Sequence, residues 1–286
     1  ESHAFVFMLS LLGGGLVCFF LNQTRLTFIA FAGCALFACV LNERSGLLYS
    51  QSPPSRTDAL QLRIGAFRPP AEAAQLDRFL RSLSETDAHV LVLEDLSLAW
   101  LPRIHHFLEP LGYTSFQFEP DRQRHLAQAV YSRLPLSLEG FTGEDGAAGL
   151  IGRFHLGNLT DSINDVHLIF LSHLPHTRVL SDTASALTRA ARRLSRDNTP
   201  LLAIGCLPVT PWARKLWRFK QQTALLDSHP AIKPASRQGR LAFFTPPEAH
   251  ILYSNHFTCV SFETVSGDAG ILGVYQLLIR PNRSST

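Results

Sequence analysis

The stretch AHVLVLEDL, Ala88 to Leu96, decides how the rest of the chain is read. Val90 to Leu93 form an unbroken apolar run, half of it β-branched, and two adjacent carboxylates, Glu94 and Asp95, follow at once. A strand with one wet face alternates apolar and polar residues. A continuous apolar run reads instead as a strand covered on both faces, so other layers must pack on either side.

Working outward, the flanks supply those layers. Leu60–Phe67 reads as a strand and Ala71–Ser84 as a helix with Leu76, Phe79, Leu80 and Leu83 on one face. Leu98–Leu111 reads as a second helix, ending at Gly112. Further strands are expected at Ser115–Phe118, Ala127–Ser132, Gly152–Leu156, Val166–Ser172, Leu201–Ile204, Leu241–Phe244, His250–Ser254, Thr258–Glu263 and Val274–Ile279. Asp182–Arg196 is an amphipathic helix, with Leu180, Ala184, Leu187, Ala191 and Leu194 inward and Arg189, Arg192, Arg193 and Arg196 outward, able to touch phosphates but read first as a solvated face. Pro211 opens another helix. Many strands with interspersed helices predict an α/β sandwich, sheet on sheet with helices outside.

The N-terminal 43 residues have a different character. Ala4–Leu21 and Leu26–Leu41 carry no charge and are joined by Asn22-Gln-Thr-Arg25. At about 1.5 Å per residue each run reaches roughly 24–27 Å, near the hydrocarbon width of a bilayer, so a transmembrane helical hairpin is expected over 1–43. Gly13, Gly14, Gly15, Ala32, Gly33 and Ala35 are small enough to let the two helices approach. The run lacks the basic leader and cleavage site of a signal peptide. A linker over 44–59, rich in serine and with Pro53-Pro54, leads to a domain over 60–281 and a tail over 282–286. The only methionine is Met8 and the chain starts at Glu1, so upstream sequence is expected. A membrane location follows, with a bacterial inner membrane the expected one; one arginine in the turn against two after it leaves sidedness undetermined.

The formal net charge of +3 is weak and dispersed, which argues against a dedicated nucleic-acid binder. Five cysteines show neither CxxC nor Cys/His ligand spacing, so no zinc site or disulfide framework is expected.

The order of short motifs resembles the endonuclease/exonuclease/phosphatase superfamily over roughly Leu60 to Arg280. Leu62-Arg-Ile-Gly-Ala-Phe-Arg68 stands where the family has an opening strand ending in asparagine. In the central stretch, Asp95 falls on the family's metal-binding glutamate and Glu94 on the glutamine before it. Ala129-Val-Tyr-Ser-Arg-Leu-Pro-Leu136 matches GVAILSRxPL, and Ser172-His173-Leu174 matches THL. The hallmark GDFNxxPW reads Gly205-Cys-Leu-Pro-Val-Thr-Pro-Trp212. IDHILxS reads Glu248-Ala-His-Ile-Leu-Tyr-Ser254, and GSDHxP reads Ser266-Gly-Asp-Ala-Gly270.

The resemblance implies a two-sheet α/β sandwich and, in its active members, a magnesium-type ion held by carboxylate and amide oxygens, with water attacking phosphorus. It also marks what has changed. Arg68 replaces an amide, Cys206 the aspartate that activates the nucleophile, Pro208 the asparagine that holds phosphate, and Ala269 the last histidine. Alanine carries no proton or charge, and proline has neither a side-chain amide nor a backbone N–H. General acid–base catalysis contributes about 10²–10⁴-fold and one preorganised donor about 10²–10³-fold, so turnover is expected to be negligible.

Asp95, His173 and Asp268 remain as vestiges, read as hydrogen-bonded in place. No cofactor is expected; Mg2+ or Mn2+ would sit at Asp95 and Asp268 only if the chain is instead a divergent phosphodiesterase or phosphatase on a membrane-proximal substrate. Cys206 follows an apolar strand with no adjacent base and is not read as a nucleophile. His105 and His106 do not share a helix face. Trp212, Arg214, Lys215, Trp217 and Arg218 form an aromatic–basic patch suited to a partner or to lipid headgroups. The expected role is a structural or accessory subunit among integral membrane proteins, in contact with the bilayer.

Overall fold

The computed structural model describes residues 3–45, 60–121, 126–142, 148–155, 165–170, 186–205, 213–228, 249–265 and 270–278. Two helices come first, α1 His3–Phe20 and α2 Thr24–Ser45, packed against each other. Gly15 sits at their contact, where an added Cβ would approach the Ala30 side chain. The hairpin is therefore present, but its spanning character is corrected. Among the described residues no helix is long and apolar enough to cross a membrane. Eighteen residues of α1 rise about 27 Å against a hydrocarbon core of about 30 Å. In α2, Arg25 at one end and Glu43 and Arg44 at the other confine the uncharged stretch to 26–42.

The domain is built from strands β1 Gln61–Phe67, β2 Val90–Ser97, β3 Ser115–Asp121, β4 Leu126–Ser132, β5 Leu136–Thr142, β6 Ala148–His155, β7 Asp165–Phe170, β8 Leu201–Gly205, β9 Leu226–Asp227, β10 His250–Tyr253, β11 Phe257–Val265 and β12 Gly270–Leu277. Helices α3 Ala73–Glu85, α4 Leu101–Leu108, α5 Ala186–Arg196 and α6 Arg214–Thr223 lie between them. They form two six-stranded sheets, ordered β11-β12-β1-β2-β4-β3 and β5-β6-β7-β8-β10-β9. Each sheet holds one parallel pair, β1 with β2 and β7 with β8. A parallel pair needs a long crossover, and α3 and α5 lie in the two crossovers.

Side-chain alternation sorts three cores. In β1 and β2, Leu62, Ile64, Val90 and Val92 face the second sheet and meet Leu168, Phe170, Leu202 and Ile204. The intervening Leu91 and Leu93 face outward, under Leu76, Phe79, Leu80 and Leu83 of α3 and Ile104 and Leu108 of α4. Ile169, Leu201, Ala203 and Leu252 form the outer face of the second sheet, covered by Ala191 of α5 and Leu216 and Phe219 of α6. Strands buried on both faces explain the unbroken apolar runs.

The sequence missed β5 and the two-residue β9, and ended β2 four residues early, because Glu94 and Asp95 look like a strand terminus. The strand expected at 241–244, and 182–185 of the α5 reading, lie outside the described residues.

Candidate functional site

The parallel pairing of β1 with β2 ends at Phe67 opposite Leu93. Gly270, the first residue of β12, pairs with Phe67. Any Cβ there would strike the Ala66 carbonyl oxygen and the Phe67 backbone, which explains the glycine. Arg68 follows the end of β1, and Glu94 and Asp95 continue β2 beyond its last pairing with β1.

The ladder between β2 and β4 is interrupted between Leu93 and Leu96. Asp95 lies in that irregularity with φ +53°, a left-handed conformation that aspartate tolerates better than most residues. Glu94 is fully buried, and the amide nitrogen of Gln128, opposite on β4, donates to its Oε1 over a long 3.5 Å. Arg68 meets Asp95, with Nε 2.9 Å from Oδ2 and side chains 30% and 20% exposed, respectively. That Nε–H lacks hydrogen-bond alignment, so the contact is an ion pair by distance.

This arrangement does not fit the divalent cation that the fold family implies. A hard cation needs oxygens that converge on it. The position resembling an amide ligand carries a guanidinium, and that guanidinium already lies against the one described carboxylate aligned with the family's metal glutamate. A divalent ion on Asp95 would sit a few ångströms from a fixed positive charge. Among the described residues no group of three or more His, Cys, Asp or Glu side chains is placed to hold a metal.

In the second sheet, β8 ends at Gly205 opposite His250. Ala249, which aligns with the aspartate of IDHILxS, is buried in the inter-sheet core and brings no carboxylate. His250 itself has Nδ1 3.3 Å from Asp227 Oδ2, the two side chains 0% and 1% exposed. Burial lowers the Lys220 pKa nearby, and Asp227 partly offsets it. This buried polar group, with Asp227 and His250 twenty-three positions apart, was not anticipated; its only sequence signal was a charged residue beside the apolar Leu225-Leu226 pair.

The structure thus brings Arg68 and Asp95 together. His173, Cys206, Pro208, Trp212, Asp268 and Ala269 lie outside the described residues. Arg214 and Arg218 of α6 are exposed and Trp217 is half-buried; nothing is described of the Lys215 side chain. His105 packs at a tilt against Phe116, with ring centroids 4.8 Å apart. Burial pushes the Cys259 thiol up to about 11, the opposite of an activated nucleophile. A cleft of about 600 Å³ lies elsewhere, lined by Ser115, Leu136, Arg153, His155 and Asp165.

No family model matches the chain, and no curated protein matches it. Solved structures do. An endonuclease/exonuclease/phosphatase from Beutenbergia cavernae superposes with TM-score 0.52 at 16% identity, covering 76% of this chain and 72% of its own. A protein of that family from Bacteroides thetaiotaomicron gives TM-score 0.55 at 12% identity, covering 78% and 99%. A Cimex nitrophorin, solved as a ferrous NO complex, gives TM-score 0.51 at 14% identity, covering 79% and 100%. The chain has the endonuclease/exonuclease/phosphatase fold.

Proposed function

We propose that this chain, built on the endonuclease/exonuclease/phosphatase fold, is a catalytically silent, membrane-embedded protein that serves as an accessory or structural subunit of a membrane complex. The observation that carries the reading is the Arg68–Asp95 ion pair. A guanidinium neutralises the carboxylate that would otherwise draw a metal, and it offers five N–H donors but no lone pair. It can neither polarise a bound water as a metal does nor accept its proton. What remains is a packed sandwich whose strand ends are closed by their own charges.

The fold is compatible with such a role. Function resides in the site rather than the scaffold, and a nitrophorin holding NO shares this architecture.

Membrane embedding is supported by the hairpin surface. Phe20 is 81% exposed, Phe28 76%, Leu21 and Leu36 67%, and such residues on two adjacent helices exceed what a water-facing protein carries. The hairpin is read as burying this apolar surface in the bilayer interface without crossing the membrane.

The test is an assay of the detergent-purified chain with Mg2+ or Mn2+ against phosphomonoesters, phosphodiesters and DNA. No turnover is expected. Turnover that Asp95→Ala or His173→Ala abolishes would establish a divergent hydrolase instead. Purification in mild detergent is expected to retain membrane proteins in fixed stoichiometry; a clean monomer would refute the subunit role.

A further inference from the structure

The outer layer of the second sheet is unusually basic. In α5, Arg189, Arg193 and Arg196 are exposed and Arg192 partly so; in α6, Arg214 and Arg218 are exposed. Neither helix contains an aspartate or glutamate. The described acid nearest α5 in sequence is Asp197, 4.0 Å from Arg193. The two helices pack on each other, and α6 packs on α2 of the apolar hairpin. Read alone, the arginines of α5 are an ordinary solvated face. Their placement changes that, because a six-arginine layer adjoins the part of the chain that exposes phenylalanine and leucine.

We propose that α5 and α6 form a headgroup-binding face that lies on anionic phospholipid where the hairpin enters the bilayer. The proposal rests on the membrane embedding argued above. Anionic lipid is the favoured occupant because a bilayer supplies both chemistries in the order the structure presents them: apolar depth for the hairpin and a charged phosphate plane beside it. Guanidinium pairs bidentately with phosphate oxygens, and basic residues near an anionic leaflet are attracted additively, over about a Debye length. Leu216 and Phe219 are committed to the core, so the face does not insert.

The experiment is hydrogen exchange on the full chain in nanodiscs of phosphatidylcholine alone or mixed with phosphatidylglycerol. Amides of 186–196 and 214–223 are expected to exchange several-fold more slowly in the anionic discs. High salt, or the combined R189Q, R193Q, R196Q, R214Q and R218Q variant, is expected to remove the difference, while β1 and β2 stay unchanged as the fold control. Equal exchange in both discs would overturn the proposal and leave the hairpin reading intact; so would slowing that survives the glutamine substitutions. Free exchange of 3–45 in both discs would overturn the embedding and the headgroup face together.

Discussion

Asp87, in the turn before β2, and Asp95, inside β2 beyond its pairing with β1, both have left-handed backbone, φ +44° and +53°, and both stand against arginine. Asp87 Oδ2 lies 2.6 Å from Arg63 Nη1, and its Oδ1 lies 2.5 Å from Arg133 Nη1, with the Asp87 side chain 65% exposed. The hydrogen bond from Arg133 lowers its pKa, with both arginine charges helping. That cluster ties the α3–β2 turn to β1 and to the end of β4, while Arg133 also lies over the Tyr113 ring. Asp95 has Arg68 against it and a side chain only 20% exposed. One chemical pairing does two jobs. In water it joins chain segments; sheltered beside buried Glu94, it occupies the carboxylate that aligns with the family's metal ligand.

The largest effect should separate these pairings directly. Arg68→Ala removes the ion pair from a sheltered carboxylate and is expected to cost about 2 kcal/mol in urea denaturation. Asp87→Ala breaks exposed pairs and is expected to cost below about 1 kcal/mol, shrinking with salt. Equal costs would break the comparison.

A second, intermediate effect concerns pH. His89 Nδ1 accepts the Arg63 backbone N–H at 3.0 Å. Burial, then the Arg63 charge, lowers its pKa below the usual 6.5, against the pull of Asp87. The unfolded chain therefore binds more protons than the folded one below about pH 6.5. Stability should be fully present above that value and fall on acidification. His167 is lowered by burial in the same sense. Urea midpoints between pH 7.5 and 5 should decline, less steeply in His89→Asn; an unchanged slope in that variant would remove His89 from the account.

The smallest effect is Asp87→Asn, within about 0.5 kcal/mol, since asparagine also accepts left-handed backbone and only exposed pairing is lost. A larger loss in thermal melts would mean that the Asp87 charge bears more load than its exposure implies.

The sequence carried the layering well because packing writes itself as periodicity. Val90–Leu93 had to be covered on both faces, and Leu76, Phe79, Leu80 and Leu83 had to lie on one face of a helix. The motif order named Arg68 and Asp95 as positions of one vestigial site. Their ion pair was not legible, since it depends on the parallel register of β1 with β2 and on the irregularity after Leu93. Asp227 against His250 was hidden for the same reason: sheet pairing brings distant positions together, and no local pattern records it. The spanning of the hairpin was over-read, because charge-free runs of roughly 24–27 Å were equated with a hydrocarbon core of about 30 Å.

The most direct measurement is Mn2+ titration of the purified full chain, followed by the electron paramagnetic resonance signal of the free ion. With Arg68 on Asp95, the free-ion signal should stay undiminished at equimolar protein, and no saturable site should appear. A saturable site that Asp95→Ala removes would contradict the account.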